Sequence, residues 1–190
     1  MKKSFANNKA NGNEAVSPVV GVMLMLVVTI IVAAVVSAFA GGLTESTEKA
    51  PQISLKATYS QTDGLTISHQ GGDSIGTLDT VVLVRLGKTF GDAGHMVWAQ
   101  NATTIVNERG KAAGSANAWL RDGGYSGVKS FAPGDNAYIE PPYNAKEFMQ
   151  PGASATYGID NTANIGKTFW LEFADKSGNT FAKTEVVIAP

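Results

Sequence analysis

The sequence predicts an α+β chain: a single long N-terminal hydrophobic α-helix followed by an antiparallel β-sandwich-like head domain. Three observations carry this. No charged side chain stands between Glu14 and Glu45. Beyond Pro51, short apolar–polar alternations recur between turns rich in Gly, Asn and Asp, the pattern of half-buried strands. The 190 residues contain no cysteine, which excludes disulfides, thiolate metal sites and a cysteine nucleophile and leaves the head to be held by its own core. Three regions follow: a basic leader over 1–13, a hydrophobic helix with its connector over 14–50, and a β-rich head over 51–190.

The leader carries Lys2, Lys3 and Lys9 and no acid. An excess of Lys on this side predicts that the N-terminus stays in the cytoplasm and the head goes outside. From Val19 to Ala40 about 22 nearly uninterrupted apolar residues give a helix of roughly 33 Å, enough to cross a bilayer. Ser17 is a good N-cap. Pro18 falls at the first helical position, where its missing N–H costs nothing, and Gly41-Gly42 supplies a stop. The many β-branched residues lower helix propensity in water, but in lipid the backbone has no other way to satisfy its hydrogen bonds.

Three roles fit such a helix. It can be a single-span anchor. It can be a secretory signal peptide, although the run exceeds the roughly 7–15 residues of an h-region and no Ala-x-Ala site follows it cleanly. It can also leave the membrane and pack against copies of itself. Gly21, Thr29, Ala33 and Ser37 share an i, i+4 stripe interrupted by Met25, and small residues on one face let helix backbones approach closely.

The run from Glu14 through Ser17-Pro-Val-Val-Gly-Val-Met-Leu-Met25 to Phe39 resembles the N-terminal signature of archaeal type IV pilins. A looser likeness continues to about Leu86 and includes Leu65-Thr-Ile-Ser-His-Gln-Gly-Gly-Asp73. The resemblance implies a prepilin whose leader is cut on the cytoplasmic side by a membrane aspartyl prepilin peptidase. It further implies a subunit held in the membrane before assembly. The pilus assembly machinery would then build it, with other pilin subunits, into a surface filament used for adhesion. Archaellins carry a related helix but a different start signature, so swimming is not the implied role. The cut is expected among Gly12, Asn13, Glu14 and Ala15, at Gly12|Asn13 or Asn13|Glu14, because the sequence departs here from the commonest pattern. Loss of the three leader lysines takes the formal charge from −1 to about −4. Kinship with bacterial pilins would have Glu14 pair with a neighbour's α-amine; otherwise it is an interfacial acid favoured by the helix dipole.

In the head, Ile53–Tyr59 and Leu65–His69 alternate around the Asp63-Gly64 turn and predict a hairpin. Thr80–Leu86 is the strongest strand, apolar on both faces at its centre and so interior. Further strands are expected at Met96–Ala99, Thr103–Val106, within Phe131–Ile139, at Ala155–Ile159, Thr168–Phe173 and Thr180–Ile188, the last two joined by a hairpin over Asp175–Asn179. Residues 110–133 read as a long surface loop with one short element at Ala116–Leu120. Trp119 and Tyr125 pin the loop to the core, or else form a contact surface for the next subunit.

Chemical motifs are sparse. His69 and His95 are the only histidines, and neither has a second imidazole or a thiolate at metal-ligand spacing. His69-Gln-Gly-Gly-Asp73 reads as a glycine turn in which Asp73 bonds its own backbone. Asp135 and Asp175 lack the acidic spacing of a calcium loop, and there is no nucleophile elbow, P-loop or dinucleotide fingerprint. The expectation is no enzyme, no metal and no cofactor. The basic residues are scattered, so no nucleic-acid partner is expected. Asn101-Ala-Thr103 is an N-glycosylation sequon, which predicts an exposed Asn101. The alternative to a filament subunit is a surface binding domain held by one uncleaved span.

Overall fold

The chain divides into two compact units at Lys49/Ala50, and the computed structural model describes residues 18–42 and 49–190. The leader 1–13, the processing residues Gly12, Asn13, Glu14 and Ala15, the N-cap Ser17 and connector residues 43–48 lie outside the described residues. The first unit is helix α1, Pro18–Gly42. Among the described residues it runs from the proline through both glycines.

The second unit contains β1 (Ile53–Ser60), β2 (Gly64–Gly72), β3 (Ile75–Gly76), β4 (Thr80–Leu86) and β5 (Val97–Ala99). These are followed by β6 (Ser130–Phe131), β7 (Asn136–Ile139), β8 (Thr168–Asp175) and β9 (Thr180–Ala189). Seven of the strands form one sheet in the order β5-β4-β8-β9-β1-β2-β7, and β3 pairs with β6 as a separate ribbon. The α+β class holds, with the sheet curled into a half-barrel. Its two antiparallel wings, β5-β4-β8-β9 and β1-β2-β7, meet at a parallel seam of two residue pairs, Tyr59–Ile188 and Ser60–Ala189.

Period-two patterning explains the core. Val82, Val84 and Leu86 of β4 stand opposite Phe173, Leu171 and Phe169 of β8, and all six are buried. Tyr59 from the other wing meets Phe169 edge-on, with ring centroids 5.6 Å apart. The irregular segment before β7 closes the curl. Trp119 is fully buried and packs on Phe131 at 5.6 Å. Its Nε1–H donates to Asn107 Oδ1 at 2.7 Å, so the indole keeps its polar tip satisfied inside the core.

Four expectations need correction. Thr103–Val106 is no strand: the Asn101 side chain turns the chain there, and Val106 then makes only isolated bridges to Ala118 and Tyr138. Ala155–Ile159 is a 3₁₀ turn over Ala155–Tyr157, because side chains replace the neighbouring strand. Asn161 Nδ2 donates to Ala155 O at 2.9 Å, and Asn164 Nδ2 to Thr156 O and Gly158 O at 2.9 and 2.8 Å. Gln150 Oε1 accepts from Ile159 N at 2.8 Å. Tyr125 does not pin its loop, being 73% exposed; Trp119 alone of the two does so. Asp73 bonds the backbone of β1's approach rather than its own, its Oδ2 accepting from Gln52 N at 2.9 Å. A 3₁₀ segment over Lys88–His95 and a one-turn helix α2, Lys146–Met149, were not expected from the sequence.

Candidate functional site

Those of the singled-out site residues that the structure describes fall in two places, helix α1 and the turn after β5. α1 has 25 residues, about 37 Å of helix. It carries no acid in its first turn and no base in its last, and none of the span Pro18–Phe39 is buried within the chain. Large side chains are exposed on every side of it: Leu24 60%, Met25 71%, Ile30 60% and Phe39 71%. A helix apolar all round is at home in lipid or inside a bundle, not in water. The hydroxyl of Thr29, one of its few polar groups, donates to Leu26 O at 2.9 Å, so this group does not oppose an apolar environment.

Gly21, Thr29, Ala33 and Ser37 all lie on α1 and are exposed. Successive i, i+4 positions drift by about 40° around a helix, so Thr29, Ala33 and Ser37 share an arc of about 80°, while Gly21 stands about 80° before Thr29. The small-residue face is therefore coherent in the C-terminal half of the helix, and Gly21 belongs to a neighbouring face. A Cβ added at Gly21 meets nothing within 4 Å outside its own helical turn, and the backbone there does not require glycine. Glycine inside a helix costs about 0.5–1 kcal/mol relative to alanine. Nothing else in the described chain offsets that cost.

On the head, Asn101 is exposed, as the sequon predicts. Its Oδ1 accepts from Thr103 N at 3.0 Å and its carbonyl from Thr104 N at 2.9 Å, which fixes the side chain in an Asx turn. The sequon itself was legible in the sequence; the bonds from Gly114 N and Leu120 N that anchor its turn were not.

The two histidines differ in their surroundings. His69 is buried against Phe131; its Nε2–H donates to Asp73 O at 3.0 Å, while Nδ1 has no partner among the described residues. His95 is exposed. Among the described residues no group of three His, Asp or Glu side chains is placed to hold a metal. A cleft of about 360 Å³ is lined by Thr104, Val106, Lys111, Glu140, Pro141 and Tyr143. The Glu140 carboxylate is already engaged there, accepting from Gly110 N at 2.7 Å and lying 3.6 Å from Arg109. The best-formed ion pair is bidentate, Arg85 to Glu172 at 2.9 and 3.1 Å across β4 and β8. The Glu172 hydrogen bonds raise the Arg85 pKa, with burial acting against them. It knits two strands.

Comparison with known proteins bears on the helix first. The profile of a family described as archaeal type IV pilin, N-terminal, matches residues 14–55, which take in α1 and the start of β1. A protein of Archaeoglobus fulgidus, described as uncharacterized, is 39% identical over 103 residues, covering 49% of this chain and 72% of that protein.

Proposed function

The chain belongs to the archaeal type IV pilin N-terminal family, and from that membership we propose that it is a structural subunit of a surface filament that serves adhesion. It is made as a membrane-inserted prepilin, with the lysine-bearing end inside and the head outside. A prepilin peptidase cuts it between Gly12 and Ala15, and the pilus assembly machinery then withdraws α1 from lipid. In the filament the helices bundle at the centre and the heads form the outer layer. Its role is structural rather than catalytic.

The observation that carries this reading is α1 itself, apolar on every side and holding a glycine at 21 that no contact among the described residues requires. Close approach of a second helix backbone explains that glycine. Once the helices are out of lipid, burial of their apolar surface contributes roughly 25 cal/mol per Å². Repetition of one contact between unlike surfaces gives an open helical polymer. The alternative, a surface binding domain on an uncleaved span, also satisfies the apolar faces but assigns no role to Gly21.

N-terminal mass spectrometry of protein sheared from the cell surface tests the proposal. The expected mature chain begins within 13–15 and is found in the filament fraction. A chain that retains Met1 or Lys2 and stays with membranes supports the anchor instead. A start near Leu43 would make α1 a signal peptide and sink the filament reading.

A further inference from the structure

We propose that Asn101 is N-glycosylated and that its glycan stands on the flank of the head most remote, in sheet order, from the strand that follows the helix. The inference rests on the reading of the head as an external domain. Asn101-Ala-Thr103 is the single Asn-x-Ser/Thr site in the 190 residues. Its turn is held from three directions: Thr104 Oγ1 donates to Asn101 O at 2.8 Å, Leu120 N to Ala102 O at 3.1 Å and Gly114 N to Thr103 O at 2.8 Å. The Asn101 Oδ1 is committed to Thr103 N. That leaves the exposed Nδ2 as the atom without a hydrogen-bond partner among the described residues, and a sugar added there breaks none of these bonds.

The donor class is a lipid-linked oligosaccharide. A bond forms between Asn101 Nδ2 and sugar C1, and the bond from C1 to the lipid phosphate oxygen breaks. The lipid phosphate leaves with the electron pair, and the amide nitrogen gives up one proton.

Position gives the modification a use. β5 is the outermost strand of its wing, four places from β1, or about 19 Å at the usual strand spacing. An outermost strand presents unpaired backbone groups on which another chain can add. Met96, Trp98 and Gln100 turn their backbone groups toward β4, so those of Val97 and Ala99 face outward, and a glycan two residues beyond Ala99 shields them. At the opposite limit of the sheet, β7 has no such need, because Val106 pairs with Tyr138 through bonds of 2.9 and 2.7 Å.

The test is glycopeptide mass spectrometry of the full chain recovered from the cells that make it. The tryptic peptide 89–109 contains this sequon and no other. The expected result is an oligosaccharide mass on Asn101 that vanishes in Asn101→Gln and in Thr103→Val and persists in Thr103→Ser. Thr103→Val keeps the turn, since the bond to Asn101 Oδ1 comes from the Thr103 backbone. An unmodified peptide in all the surface-exposed protein overturns the proposal. If that same protein begins within 13–15, the filament reading stands and the glycan alone falls; a modified Asn101 on a chain retaining Met1 supports the site and sinks the filament reading.

Discussion

Gly64 and Gly134 separate the two ways in which a glycine can be required. Both have positive φ, +88° and +94°, but a Cβ at Gly64 would lie 2.1 Å from Ile139 O whereas at Gly134 it meets nothing within 4 Å. Gly64→Ala adds a backbone collision to the conformational strain and is expected to cost about 2–3 kcal/mol, against about 1 kcal/mol for Gly134→Ala. Thermal unfolding of the two variants beside the parent checks the ranking. A second residue sets the alkaline limit. Burial, helped by the Asp160 carboxylate, pushes the Tyr59 hydroxyl well above its ordinary value of 10.0; folded, it donates to Asn144 O at 3.0 Å. The unfolded chain ionises near pH 10 and the folded one does not. The stability linked to Tyr59 is therefore whole below that pH and is lost as pH rises above it. Tyr59→Phe is expected to lower stability by about 1 kcal/mol at neutral pH and to flatten the alkaline fall in Tm. An unchanged alkaline slope would remove Tyr59 from the account.

Among the elements, α1 was the most legible, because a long uncharged apolar run is a local signal. β1, β2, β4, β8 and β9 were legible from period-two patterning and their turns. Thr103–Val106 and Ala155–Ile159 show the same alternation, yet the first is turned by Asn101 and bonded to scattered loop backbone, and the second is bonded by the side chains of Gln150, Asn161 and Asn164; no alternation reports such partners. The packing role of α1 yields a prediction at this scale. Ala33→Leu adds apolar bulk at the middle of the Thr29–Ser37 face, so membrane insertion should be retained or slightly improved, while close helix approach is blocked. Gly21→Leu should act likewise on the adjacent face. Electron microscopy of sheared fractions is expected to show filaments in the parent and none in either variant, with membrane content equal in all three. Normal filaments from both variants would remove the packing argument.

At the scale of the whole molecule, the sequence revealed a helix followed by a β-rich head and a sequon on it. It did not reveal how the head closes: the curl, the seam between wings and the plug of Trp119 and Phe131 all join residues far apart in the chain. The seam has a consequence in time. β1 is the first strand to be made and its partner across the seam, β9, is the last, so Tyr59 must wait for Ile188. At roughly 5–20 residues per second, some 130 residues of synthesis take about 7–26 s. α1 has been made before that interval begins, and the half-barrel cannot be complete before it ends. Through most of its own synthesis the protein is a finished helix trailing an open, unzipped sheet.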